Sequence, residues 1–393
     1  MINKKFILNV RKRIKGGYFL IAFFFVFIIS VAAFFYYDSI FWEYSSTKAV
    51  ETIIDGVEEK RVRHIKTPES VKAIYMTACV AGTPSMRERL VDLADSTEIN
   101  SIIINIKDET GRISFNTDNP LLKDAAVGTC KVADMAEFIE YLHEKNIYTI
   151  GRIAVFQDPY LVKKNPELAV KERGGEKVWR DRKGLSWISV CSKESWDYTI
   201  ELAKESEKIG FDELNFDYIR FPSDGDMNNI SYPSCGAVTF SKQDRLEDFF
   251  FYLNKGLRDL GIPTSADLFG MVATNKDDLN IGQVLERAEP YFDFIAPMVY
   301  PSHYPAGFKN LSDPNKYPYE IIKYSMDEAA RRLVAASSTP LKLRPWLQDF
   351  DYPVTYTADM VRAQIKATYD AGLTSWMLWD PSNKYTRDAL EAQ

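Results

Sequence analysis

Two acidic residues are placed where they could do chemistry together. Asp217 lies in Asp212-Glu-Leu-Asn-Phe-Asp-Tyr-Ile-Arg-Phe-Pro222, and Asp267 lies in Ser265-Ala-Asp-Leu-Phe-Gly270. Both segments read as apolar strands. An Asp within a buried strand is costly unless it is paired or used. Asn215 and Asp217 share one face, because strand side chains alternate with period two. Paired carboxylates without a histidine partner suit glycosidic bond cleavage, with one as proton donor and the other as nucleophile or base. Adjacent strands lie roughly 5 Å apart, close to the carboxyl spacing of a retaining mechanism. A structural carboxylate, salt-bridged in the core, is the competing reading of Asp217.

Other polar residues recur at strand ends. Asn105 and Lys107 share parity and precede Asp108 and Glu109. Arg152 interrupts an apolar run. Tyr300 ends one strand. Arg344, Trp346 and Gln348 share parity and precede Asp349, while Asp380 follows Trp379. Asn105, Lys107, Asp108, Arg152, Asn215, Tyr218, Tyr300, Trp346, Gln348, Asp349, Trp379 and Asp380 are the expected substrate-binding set. Lys107, Arg152 or Arg344 would keep one carboxylate ionised, and an apolar wall would raise the pKa of the other. Trp179, Trp187 and Tyr304 are further aromatics: each alone reads first as core packing, and as a set with the others they are expected to stack on sugar rings.

These residues need a scaffold that gathers strand ends. Strand-like segments at 72–78, 101–107, 148–156, 212–221, 263–270, 292–300, 342–350 and 375–380 alternate with helix-like ones at 85–94, 132–145, 194–209, 241–260, 281–288, 319–335 and 357–371. Eight such alternations predict an α/β fold, a (β/α)8 TIM barrel whose strand C-termini converge on one mouth. An open doubly wound sheet would call for a Gly-rich phosphate turn, and none is present.

The barrel is expected over residues 70–393. Before it, residues 1–15 form a basic tail with Lys4, Lys5, Arg11, Lys12, Arg13 and Lys15, and residues 16–37 are uncharged. That run has about the 20 residues needed to span a bilayer. It is read as a transmembrane anchor with a cytoplasmic N-terminus, a cleaved signal peptide being the alternative. Residues 38–69 read as a stalk. Setting aside the six basic residues of the tail, 43 Lys+Arg face 55 Asp+Glu, a net of −12. An acidic exterior domain is a poor nucleic-acid partner; the expected partners are a carbohydrate substrate and the membrane.

Cys79, Cys130, Cys191 and Cys235 contain no C-x-x-C pair. In an exported domain the pairings Cys79–Cys130 and Cys191–Cys235 are expected, with free buried thiols as the alternative. His64, His143 and His303 are widely spaced, and His143 is expected on a helix surface. No zinc helix and no nucleophile elbow appear. Ser223 to Asn229 begins like a calcium loop but lacks its Gly and Glu, and reads as a polar turn. No metal or cofactor is expected.

The motifs Gly151-Arg-Ile-Ala-Val-Phe-Gln-Asp-Pro159, Phe211 to Pro222, Ser265 to Gly270, Ala296-Pro-Met-Val-Tyr-Pro301 and Arg344-Pro-Trp-Leu-Gln-Asp349 resemble a bacterial family known as the "putative glycosyl hydrolase domain", over residues 70–391. The resemblance implies a glycosidase-like barrel. The fourth strand and Met298-Val-Tyr300 are also similar to family-18 chitinases, whose D-x-x-D-x-D-x-E motif ends in the acid. Asp212, Asn215 and Asp217 fall in its first three places, with Asn215 for the second Asp, but Ile219 stands where that Glu would be. An acid from another strand, such as Asp267, would then be required. The expected protein is a membrane-anchored extracytoplasmic glycoside hydrolase; a non-catalytic glycan-binding barrel and an interaction protein of a wall or division complex are the alternatives.

Overall fold

A computed structural model describes residues 62–236 and 239–393. The expected tail and anchor, and most of the expected stalk, lie outside the described residues. Among the described residues no helix is long and apolar enough to cross a membrane.

Eight parallel strands close into a barrel. They are β1 (Lys72–Met76), β2 (Ser101–Lys107), β3 (Tyr148–Ala154), β4 (Glu213–Asp217), β5 (Thr264–Phe269), β6 (Phe294–Met298), β7 (Trp346–Gln348) and β8 (Trp376–Trp379). Each pairs with its sequence neighbours, and β8 closes on β1. The principal helices are α1 (Pro84–Asp95), α2 (Met135–Glu144), α3 (Lys193–Lys208), α4 (Lys242–Leu257), α5 (Leu285–Ala288), α6 (Pro318–Ala335) and α7 (Ala358–Asp370). Side-chain caps start two of them where the sequence places a hydroxyl: Ser241 accepts from the Asp244 amide and Thr357 from the Met360 amide.

Alternation along the strands divides the core. Ile102, Ile104 and Ile106 point outward into the layer shared with the helices. Ala73, Tyr75, Ile103, Ile150, Ala296 and Trp346 fill the barrel interior. Register sets the interior polar levels. Asn105 pairs with Arg152, Arg152 with Asn215, and Asn215 with Ser265, so one level crosses four strands. Asp217 and Asp267 stand two residues further along their strands, on the next level toward the mouth.

Three expectations are corrected here. β7 covers only residues 346–348, not 342–350. Arg344 therefore precedes the strand, and its guanidinium sits at the barrel's N-terminal end on Glu213 Oε2 at 2.6 Å. β2 shifts register between Asn105 and Lys107, so Lys107 pairs with Ile153. Such a bulge re-aims the side chain, and the Lys107 ammonium pairs with buried Asp158. His143 is buried, with Nε2 2.8 Å from Asp212 Oδ2; it lies on the face of α2 that Met135, Phe138, Ile139 and Leu142 bury, where the buried carboxylate calls for a partner.

Four of the βα loops on the mouth side are joined in pairs. Disulfides link Cys79 to Cys130 and Cys191 to Cys235, as expected. Cys79 follows β1 and Cys130 lies between β2 and α2. Cys191 lies between β3 and α3, and Cys235 between β4 and α4. Each bridge thus ties neighbouring loops. Gly270, which follows β5, meets a steric limit: a Cβ there would lie 2.2 Å from the Met298 carbonyl oxygen. The chain can turn into the mouth at that point only without a side chain.

Candidate active site

The C-terminal end of the barrel opens into a cavity of about 1460 Å³. Arg152 organises its floor. One Nη donates to Asn105 Oδ1 at 2.8 Å and the other is bonded to Asp217 Oδ2. Its Nε lies 3.7 Å from Asp267 Oδ2 and has no hydrogen-bond partner. Asn105 in turn donates to the Tyr75 hydroxyl at 2.6 Å. The Arg152 guanidinium also faces the Tyr75 and Trp379 rings, 5.7 and 5.2 Å from their centroids. Those two rings stack at 4.0 Å, so the cation is held against an aromatic wall.

The two carboxylates differ in surroundings. Asp217 ends β4, and its Oδ1 accepts from the Tyr218 amide at 2.5 Å. Tyr218 has φ +53°, a left-handed conformation uncommon for an aromatic residue. That turn points the amide back onto the carboxylate. Asp267 is buried, and Oδ1 accepts from both Asn215 Nδ2 at 2.9 Å and Trp346 Nε1 at 2.7 Å. Burial, reinforced by the negative charge of Asp217, pushes its pKa up to about 8 against the opposing pull of Arg152, Asn215 and Trp346. With both donors on Oδ1, the proton of the neutral acid belongs on Oδ2. One carboxyl is thus bonded directly to a cation, and its neighbour is pushed toward the neutral acid.

The expected site residues divide into groups. Asp217, Asp267, Arg152, Tyr218, Tyr300, Trp346, Asp349, Trp379 and Asp380 line the cavity together. Asn105 and Asn215 stand beneath them, bonded to Arg152 and Asp267. Three do not reach the cavity. Lys107 is held on Asp158. Asp108 accepts from the Thr110 amide at 2.9 Å and stabilises its own turn. Gln348 is consumed by the Ser302 amide at 3.1 Å and the Phe350 carbonyl at 2.9 Å.

Asp349 and Asp380 anchor the loop after β8. Asp349 accepts from the amide and hydroxyl of Thr386, and Asp380 from those of Ser382. Burial, with Asp380 and Asp351 adding to it, raises the Asp349 pKa to about 6 despite the Thr386 bonds. Of the further aromatics, Tyr304 lines the cavity. Trp179 and Trp187 are fully buried instead, with their indole N–H groups on the Asp226 carbonyl and Asp181 Oδ2. Residues 223–229 form a polar turn in which Asp226 caps the Asn228 amide at 3.3 Å.

Glu109, Tyr75, His303, Phe350 and Tyr352 also line the cavity and lay outside the expected set. Strand-end position was the available signal for Glu109 and Phe350, as it was for Asp108 and Asp349. Tyr75 had an inward parity within β1 that no polar neighbour marked.

The family model described as "Putative glycosyl hydrolase domain" matches residues 73–385. A search of curated proteins found no match. Among solved structures, a hypothetical protein from Ruminiclostridium thermocellum is 36% identical over 49% of this chain and 96% of its own, with a TM-score of 0.44. The PgaB (BpsB) glycoside hydrolase domain from Bordetella bronchiseptica is 13% identical, with a TM-score of 0.58 over 82% of this chain and 99% of its own. The Flavobacterium johnsoniae chitobiase is 11% identical, with a TM-score of 0.51 over 81% of this chain and 47% of its own. The latter two likenesses are of fold. The family match spans the whole barrel and the cavity at its mouth, and the chain belongs to this family of glycosyl hydrolase domains.

Proposed function

We propose that the protein is an extracytoplasmic glycoside hydrolase, membrane-anchored through residues 16–37, that cleaves a polysaccharide or cell-wall glycan with Asp267 as acid and Asp217 as nucleophile or base. One observation carries this reading. Two carboxyls on neighbouring strands, at the mouth of a glycosyl hydrolase barrel, stand in different surroundings: Asp217 is bonded to Arg152, and Asp267 is buried with its pKa raised. Asp267 would give its Oδ2 proton to the leaving oxygen as the glycosidic bond breaks. Asp217, bonded to Arg152, would attack the anomeric carbon or take a proton from an attacking water. Arg152 would hold the Asp217 charge in place. The Tyr75–Trp379 stack would offer a ring face to the sugar.

Two features support the extracytoplasmic placement. The basic residues before an uncharged run of membrane-spanning length favour a cytoplasmic N-terminus. The two disulfides fit an oxidising compartment.

A second reading is a glycan-binding barrel without turnover, favoured by the direct Arg152–Asp217 ion pair. The test is reducing-end release from a panel of polysaccharides and peptidoglycan by the full chain, compared with Asp217→Asn and Asp267→Asn. Release by the wild type and loss in both variants is expected. Binding without release would replace the hydrolase with the binding barrel.

A further inference from the structure

The loops after β6 and β7 carry an aromatic row that the two carboxyls leave unused. Tyr300 is its inner end, 7% exposed and close enough to Asp267 and Asp217 to feel their charge. Its ring meets His303 at 5.4 Å and Phe350 at 5.5 Å. His303 meets Phe350 and Tyr352, each at 6.2 Å. Tyr352 is the outer end and is 62% exposed. All four line the cavity. The row therefore climbs from the acid pair to the rim.

The row is built before any ligand arrives. The Tyr352 amide donates to the Val354 carbonyl, and the Tyr352 carbonyl accepts from Asn315 Nδ2 at 2.7 Å. The Phe350 carbonyl is held by Gln348. The His303 ring lies between Tyr300, Phe350 and Tyr352 and continues the aromatic surface toward solvent.

The loops after β3 and β4 add Asp181, Lys183, Arg220, Ser223 and Asp224 to the lining, and Asp349 and Asp351 flank the ring row itself. The cleft thus offers ring faces and charged groups together. A pyranose matches both, with C–H groups on its faces and hydroxyls around its edge. The cavity volume of 1460 Å³ exceeds the roughly 300–1,000 Å³ that suits one small ligand. Several linked sugars fit that space better than one.

We propose that Tyr300, His303, Phe350 and Tyr352 form a stacking track for a glycan chain leaving the Asp217–Asp267 pair, that the track takes pyranoses with unobstructed C–H faces, and that it makes the enzyme cut within long chains. The cutting clause rests on the hydrolase reading. The track as a binding site stands without it.

The full chain is tested with Tyr352→Ala, Tyr352→Phe and Asp217→Asn. Probes are cellohexaose, chitohexaose and maltohexaose against cellobiose, chitobiose and maltose. Binding by the Asp217→Asn protein is measured by calorimetry, with and without Tyr352→Ala. At least one hexasaccharide is expected to bind more tightly than its disaccharide. Tyr352→Ala is expected to weaken hexasaccharide binding about tenfold more than disaccharide binding, and Tyr352→Phe, which keeps the ring, to restore it. Wild-type products from the matching polymer are expected to begin as long oligosaccharides. Equal losses on both lengths, failure of Phe to rescue, or no hexasaccharide binding would overturn the track. Release of single sugars from the start would overturn internal cutting. Hexasaccharide binding that depends on Tyr352, without hydrolysis, would keep the track and remove the hydrolase.

Discussion

Arg152 and Asp267 are neighbours without a hydrogen bond. Nε of the arginine stands 3.7 Å from Oδ2 of the aspartate, while the same guanidinium is bonded directly to Asp217. The cation is thus shared unequally. Asp217 receives the contact that favours a carboxylate, and Asp267 receives burial and the charge of Asp217, which favour the acid.

The first prediction concerns pH. With Asp267 as the proposed acid, activity needs its protonated form, so kcat/KM should fall as pH rises through about 8. Trp346→Phe removes a hydrogen bond that favours the ionised form, so the alkaline limb should move to higher pH while kcat drops. A pH–rate profile of both proteins checks this. An unmoved limb would show that another group sets it.

The second prediction follows from the same raised pKa. Between the ordinary carboxyl value of 3.8 and about 8, the folded state holds a proton on Asp267 that the unfolded state has released. Stability must therefore fall as pH rises across that window. Asp267→Asn cannot ionise and should abolish hydrolysis. It should also raise the melting temperature relative to wild type more at pH 8 than at pH 4. Calorimetric unfolding at the two pH values decides it.

The third prediction separates charge from chemistry. Arg152→Met would leave the buried Asp217 carboxylate without its cation, at a cost of about 3–5 kcal/mol. Adding Asp217→Asn removes the stranded charge, so the double variant should recover part of the stability and none of the activity. Urea unfolding of the two singles and the double gives the coupling. Additive losses would mean that the pair is not energetically linked.

Much of this arrangement was legible in the sequence because period-two alternation fixes which residues face inward. Asn215 and Asp217 shared parity, and so did Ser265 and Asp267, and the barrel places both pairs inside. Parity alone does not say how deep a residue lies. Arg344 had the same parity as Trp346, but it precedes the strand and serves Glu213 at the opposite end. Lys107 had the parity of Asn105 until a bulge turned it toward Asp158. Bulges and strand ends depend on neighbouring strands, which a single segment does not specify. Trp179 and Trp187 follow the core-packing reading rather than the sugar-stacking one, because their loop is long enough to pack on itself, with Trp187 bonded to Asp181.

The fourth prediction uses the barrel's opposite end. Arg344 Nη1 bonds Glu213 Oε2 at 2.6 Å, and the Tyr148 hydroxyl reaches the same oxygen at 3.1 Å. Arg344→Met should cost about 3–5 kcal/mol and leave kcat per folded molecule unchanged, because nothing at the mouth depends on it. Active-site titration beside thermal unfolding separates the two effects. A fall in kcat with unchanged stability would return Arg344 to the site.

The last prediction concerns the segment entering the barrel. The Ile65 amide and the Thr149 amide both donate to Asp212 at 2.8 Å, and His143 and His64 stand beside the same carboxylate. Burial alone would raise the Asp212 pKa, but the bonds from His143, His64 and Thr149 outweigh it and leave the pKa below the ordinary value. Asp212 therefore contributes stability above pH 4 that is lost as pH falls further. His64 is shifted the other way, upward, chiefly by its bond to Asp212 with burial opposing. Its contribution is complete below pH 6.5 and is lost as pH rises beyond that. Asp267 also weakens the fold as pH rises, so the two must be separated. In an Asp267→Asn background, the urea midpoint should still fall from pH 6 to pH 8, and His64→Phe should flatten that fall. A fall of the same size after His64→Phe would show that this clasp does not hold residues 64 and 65 to the barrel.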